Sequence, residues 1–143
     1  MSQLVRDAMV TEPLALAATA TATDAGAALV RPDVRAVFVC DAGRLVGVIT
    51  RKTLVREVVA AGLDPGATLL GSIAEPPNAT LESTTPLTEA FAFLEERDFE
   101  RVPVVESGKL VGVLSRSVVQ RRLAEDEPPR TEDALTMERQ PTE

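Results

Sequence analysis

The chain has 143 residues, a net charge of −7, an apolar share of 45% drawn mainly from Ala, Val and Leu, and no His, Tyr or Trp. One compact domain is the default at this length, and the lack of His excludes Ser-His-Asp and Cys-His catalysis and any His-bearing zinc site. Seven acids and two arginines fall between Glu125 and Glu143, which leaves a near-neutral body of fifteen acids and thirteen bases, with no electrostatic footprint for duplex nucleic acid and, with four Phe, no aromatic platform for single strands.

In chain order, residues 4–9 read as a short helical turn with Asp7 toward solvent, broken by Thr11-Glu12-Pro13. Residues 14–16 form a short strand. Residues 22–31 are helical, with Ala25, Ala28 and Leu29 on one face, and Pro32-Asp33 ends the helix. Residues 34–39 and 45–49 are strands joined through Asp41-Ala42-Gly43, a hairpin turn. Thr50 caps a helix reaching about residue 61, with Leu54, Val55, Val58 and Val59 as its apolar face, and Gly62 stops it. Cys40 is the one cysteine and lies in a predicted buried strand, where it reads as a small core hydrophobe. It has no partner for an internal disulfide, which fits a reducing compartment. No apolar run reaches the roughly 18 residues of a membrane span and no signal peptide is visible, so the cytoplasm is the expected location.

Residues 63–68, with Pro65 and Gly66, are a linker, and the same order then recurs. An entry turn at 69–73 leads to an extended stretch with two prolines and a strand at 79–81. A helix follows from Pro86 to about residue 98, with Leu87, Ala90, Phe91 and Leu94 inward. A hairpin turns at Glu106-Ser107-Gly108, and the last helix runs from Ser115 to about residue 124. The recurrence has a fixed offset of 65 residues: Gly43 matches Gly108, Leu45-Val46-Gly47-Val48 matches Leu110-Val111-Gly112-Val113, and Thr50-Arg51 matches Ser115-Arg116. The register runs ungapped upstream to Leu16 and Leu81. A tandem repeat of this period is too long for a solenoid and suits two subdomains sharing one core. The organisation is repeat 1 at 1–62, linker at 63–68, repeat 2 at 69–124, and an acidic tail at 125–143 that is read as disordered or loosely helical. Each repeat reads β-α-β-β-α, an α/β unit.

Thr50 and Ser115 stand at helix starts, where free N–H groups and a partial positive charge suit phosphate; plain capping is the competing reading. Arg51, Lys52 and Arg56 follow the first, and Arg116, Arg121 and Arg122 the second, either as a phosphate-binding cluster or as a solvated helix face. Arg101 and Arg35 enter from the strands before the hairpins. Gly47 and Gly112, mid-strand, mark close approach of another backbone or of a ligand. Glu95-Glu96 reads as a solvated helix face. Ser107-Gly108-Lys109 fails as a phosphate loop, since Pro103 stands five before the Gly and Leu110 follows the Lys.

The stretches Arg101-Val102-Pro103-Val104-Val105 and Lys109-Leu110-Val111-Gly112-Val113-Leu114-Ser115, with their echo 65 residues upstream, resemble the cystathionine-β-synthase (CBS) domain. Two in tandem, as over about 4–124 here, resemble the pair called a Bateman module. The resemblance implies β-α-β-β-α halves related by a pseudo-two-fold, with packed sheets and flanking helices. It implies clefts between the halves that take AMP, ADP, ATP or S-adenosylmethionine, homodimerisation through the helices, and regulation of a partner without chemistry of its own. The family's Gly-x-x-Thr/Ser-x-x-Asp signature is met by Gly47 and Thr50, and by Gly112 and Ser115. Its Asp position holds Thr53, able to give one weaker hydrogen bond, and Val118, which is expected to pack inward. Lys52 takes the place of a basic phosphate contact that is Ser117 in the second copy. Arg101 takes that of a basic residue that is Ala36 in the first, where Phe38 replaces Pro103. The expected ligand contacts are therefore Gly47, Thr50, Lys52, Thr53, Arg101, Gly112 and Ser115, with no metal. The expected function is a non-enzymatic sensor module binding an adenosine-containing or other phosphate-bearing ligand and modulating a protein partner. The alternative is a ligand-free homodimeric interaction module.

Overall fold

The computed structural model describes residues 3–11 and 13–126; the acidic tail expected at 125–143 lies, from residue 127 onward, outside the described residues. The first half comprises α1 (Val5–Ala8), β1 (Val10–Thr11), β2 (Ala15–Ala17), α2 (Ala22–Leu29), β3 (Val37–Asp41), β4 (Arg44–Ile49) and α3 (Arg51–Leu54), which continues as a π-helix, Val55–Val59. Two 3₁₀ turns, Pro65–Ala67 and Leu70–Ser72, lead to β5 (Leu81–Glu82), α4 (Leu87–Arg97), β6 (Arg101–Glu106), β7 (Lys109–Ser115) and α5 (Arg116–Asp126). In each half a parallel strand joins an antiparallel hairpin, and the whole path is β2-β3-β4-β7-β6-β5, with β1 added to β7.

That order is a palindrome because the halves obey one two-fold. The hairpin turns carry the same backbone: Ala42 and Ser107 at φ 52°, and Gly43 and Gly108 at φ 84°. Both central residues are left-handed, as a two-residue turn matched to strand twist requires. The turns meet each other. Arg44 pairs with Lys109, its own counterpart in the repeat, while Leu45 donates to the Gly108 carbonyl at 3.0 Å and Leu110 to the Gly43 carbonyl at 3.1 Å. Each hairpin also shifts register at equivalent places, Val39/Cys40 and Val104/Val105.

The core divides into two clusters, not the single shared core expected, and each is closed by a segment of the other repeat. Val5 and Ala8 of α1 lie among Leu87, Ala90, Leu94, Val102, Val104, Leu114 and Val119 of the second half. Their counterparts Leu70 and Ile73 lie among Ala22, Ala25, Leu29, Val37, Val39, Ile49 and Val58 of the first. The same three backbone bonds seat each segment. Val5 donates to Thr85, Arg6 to Ser83, and Leu87 back to Gln3; Leu70 donates to Ala20, Gly71 to Ala18, and Ala22 back to Thr68, all at 2.8–3.0 Å.

The helix after Thr50 departs from its predicted face. Val58 is buried and Leu54 half-buried, as expected, but Val55 and Val59 are 59% and 71% exposed, and Thr53 is buried in their place. Ala60 donates to Val55 and Leu63 to Val58, an i→i+5 spacing that widens the turn, so that Val58 stays in the core while Val59 turns outward. Cys40 is half-buried, not a core residue, and burial raises its thiol above the ordinary value, which keeps it protonated and unreactive at neutral pH. Among the described residues no helix is long and apolar enough to cross a membrane.

Two outcomes are expected. Leu70→Ala empties a fully buried site and lowers stability by about 3 kcal/mol; hydrogen exchange is expected to show protection lost first in β2–β4, although residue 70 belongs to the second repeat in sequence. Ala42→Gly relieves a left-handed alanine and raises stability by about 0.5–1 kcal/mol, measured by denaturant unfolding.

Candidate functional site

Two clefts lie between the halves where β4 and β7 end. Thr50 lines one, with Val48, Glu75, Asn78 and Phe99. Ser115 lines the other, with their counterparts Val113, Val10, Pro13 and Val34. Ala36, Phe38 and Arg101 line both. The Ser115 cleft encloses about 530 Å³ and the Thr50 cleft about 210 Å³, so only the first has the roughly 300 Å³ or more typical of a small-molecule pocket.

The two hydroxyl positions differ in what already holds them. Thr50 Oγ1 accepts the Thr53 N–H at 3.2 Å, Thr53 Oγ1 accepts the Thr50 N–H at 3.0 Å, and the hydroxyls lie 3.0 Å apart. This is a reciprocal cap, and Thr53 is fully buried within it. Val118 cannot reciprocate. Ser115 Oγ accepts the Val118 N–H at a long 3.4 Å and lies 3.0 Å from Ser117 Oγ. Val118 does not pack inward as expected; it is half-buried and lines the cleft, and Val119 takes the core position.

Gly47 and Gly112 face the exchanged segments. A Cβ on Gly47 would lie 2.6 Å from Ala74 Cβ and 3.0 Å from the Glu75 carbonyl; one on Gly112 would lie 2.6 Å from Met9 Sδ and 2.8 Å from the Val10 carbonyl. The close approach predicted at both positions is thus made by protein backbone. β1 needs it to pair with β7, Thr11 opposite Gly112, and the Glu75 bridge to Val48 needs it in the other half.

The basic residues separate into structural and open ones. Arg51 donates to the Leu29 and Arg31 carbonyls at 2.6 and 2.8 Å, closing the end of α2. Arg116, its counterpart, reaches toward the Leu94 carbonyl and donates to Asp98 at 3.2 Å and Glu100 at 2.6 Å; the hydrogen bond it donates to Glu100 raises its already high pKa. Arg56 pairs with Glu75, and Arg122 donates to Gln3. These four arginines secure the fold. Lys52 is exposed and does not line the Thr50 cleft, whereas its counterpart Ser117 lines the Ser115 cleft.

Arg35 and Arg101 differ from these. Both line the Ser115 cleft, and neither makes an ion pair among the described residues. The carboxylates at its mouth, Asp33 and Glu100, are already engaged by Arg31 and Arg116. The mouth therefore presents two guanidiniums that make no ion pair among the described residues, and two hydroxyls, over an apolar floor that includes Val10 and Leu14, 61% and 44% exposed. Arg35, Ser117, Val10 and Leu14 were not among the expected contacts. Arg35 was noted among the basic residues but not as a contact, because it stands one position off the Arg101 counterpart and its own counterpart is Glu100.

The family model of the CBS domain matches the chain twice, over residues 5–60 and 70–125. Hypoxic response protein 1 of Mycobacterium tuberculosis is 32% identical over 94 residues, which span 65% of this chain and 66% of that protein. The crystal structure of Hypoxic Response Protein I with two coordinated zinc ions superposes with a TM-score of 0.71 at 27% identity, covering 84% of this chain and 98% of that one. The crystal structure of CBSX2 in complex with AMP superposes with a TM-score of 0.64 at 26% identity, covering 85% and 96%. The zinc ions belong to that relative. This chain has no His and one Cys, and among the described residues no three His, Cys, Asp or Glu side chains gather so as to hold a metal.

The different caps predict different sensitivities. Thr50→Ala breaks a reciprocal pair and is expected to cost about 1–2 kcal/mol, while Ser115→Ala, losing one long bond, costs about 0.5 kcal/mol or less by denaturant unfolding.

Proposed function

The chain belongs to the CBS-domain family as a tandem pair, and on that premise we propose that it is a regulatory module that binds an adenosine-containing or other phosphate-bearing ligand in the Ser115 cleft and thereby alters its association with a protein partner. The observation that carries this reading is the pair of open guanidiniums, Arg35 and Arg101, beside Ser115 and Ser117. Phosphate oxygens accept from a guanidinium fork in charge-assisted, bidentate fashion. An adenine ring would cover Val10 and Leu14, surface that is otherwise left to water. The CBSX2 complex with AMP supports the ligand class.

The ligand contacts in this reading are Arg35, Arg101, Ser115 and Ser117. Gly47, Gly112, Thr50 and Thr53 shape the clefts, and Lys52 stands apart. The module works by binding and not by catalysis. Among the described residues neither Ser115 nor Ser117 has a hydrogen bond to a carboxylate that would activate it; the two hydroxyls lie against each other. The partner proposed is a cytoplasmic protein.

A second reading, a ligand-free homodimeric interaction module, is favoured by the exposed valines Val30, Val55 and Val59 on or beside the helices of the first repeat and by the absence of an Asp at Thr53 and Val118.

Thermal melting separates the two. Millimolar AMP, ADP, ATP or S-adenosylmethionine is expected to raise Tm by roughly 5–10 °C for a ligand near 100 times its Kd. Arg101→Ala and Arg35→Ala should each reduce the shift, while Lys52→Ala keeps it. Silence across the panel, with inorganic phosphate included, would favour the interaction module, whose mark is a concentration-dependent dimer weakened by Val59→Glu.

A further inference from the structure

Arg101 lines both clefts, together with Ala36 and Phe38. The repeat places Arg101 opposite Ala36. A module with side chains as symmetric as its backbone would carry one cation for each cleft at this boundary; this one carries a single guanidinium between two. The Ser115 cleft adds Arg35. Among the described residues lining the Thr50 cleft, Arg101 is the one cation, and the other charged group is the Glu75 carboxylate.

We propose that the two clefts compete for Arg101, so that each chain holds one phosphate-bearing ligand, in the Ser115 cleft, and its arrival disables the Thr50 cleft. This rests on the nucleotide reading above. Arg101 brings one positive charge to the boundary of both clefts, and a phosphate that has taken it compensates it. Once Arg101 turns toward a ligand held also by Arg35, a second phosphate in the Thr50 cleft would meet no unpaired cation among the residues that line it, and Glu75 there is already paired with Arg56. A buried charge left uncompensated in this way is not retained. Ala36 has nothing to offer in place of the arginine.

The test is calorimetric titration of the full chain with ADP and, separately, inorganic pyrophosphate, read as sites per chain. One site is expected in the native protein, with affinity at least tenfold weaker in Arg101→Ala. Ala36→Arg, which restores a cation to the other side of the boundary, is expected to give two. Ala36→Lys serves the same purpose should the arginine disturb folding, as judged by its melting curve. Two sites in the native protein, or one site persisting in a folded Ala36→Arg or Ala36→Lys variant, would overturn the competition while leaving nucleotide binding in place. No binding of either probe to the native protein would overturn the nucleotide reading itself, and the competition with it.

Discussion

Two glycines, Gly47 and Gly112, let a neighbouring backbone come closer than any side chain permits, and the architecture follows from that approach. Across Gly112 lies the segment from Met9 to Thr11, which carries α1 into the second core; across Gly47 lie Ala74 and Glu75, just beyond the turn that carries Leu70 and Ile73 into the first. Neither repeat can complete its core from its own sequence. Folding of one half is therefore conditional on the other, and the mutual dependence offsets the small size of each. The mid-strand glycines, weak choices for a lone strand, are required by the seating of these segments.

The backbone keeps its two-fold while the cleft linings have lost theirs. Turns, register shifts and entry-segment bonds repeat almost atom for atom. Side chains at the clefts diverge position by position: Thr53 against Val118, Lys52 against Ser117, Glu75 against Val10, Ala36 against Arg101. One cleft is tightened by a reciprocal cap and faced by a carboxylate. The other is wider, apolar below and cationic above. A symmetric scaffold with unlike sites can respond to a ligand in one direction, since occupancy perturbs only one side of the axis.

Much of this was legible in the residues. The 65-residue echo, the Gly-bearing turns and the apolar strands are local signals, and they placed both hairpins and the helices after them to within a few residues. The exchange was not legible, because periodicity tells which face of a segment is buried and not what covers it; Val5 and Leu70 read as entry turns of their own repeats. Val55 and Val59 were misread because a 3.6-residue period was assumed where the chain adopts a π turn. Arg51 and Arg116 looked like a phosphate cluster because their carbonyl partners lie 20 and 22 residues upstream. For Gly47 and Gly112, close approach was readable, though the approaching group was not.

The bridge between Arg44 and Lys109 has one further consequence. A residue paired with its own repeat counterpart sits on the symmetry axis, and the backbone contacts across that axis are ones that two separate copies of a single repeat could make. The connection between the repeats thus acts as a tether, supplying local concentration in place of an encounter between molecules. Assembly of the halves becomes a first-order event, and the integrity of the paired sheet does not depend on how dilute the protein is.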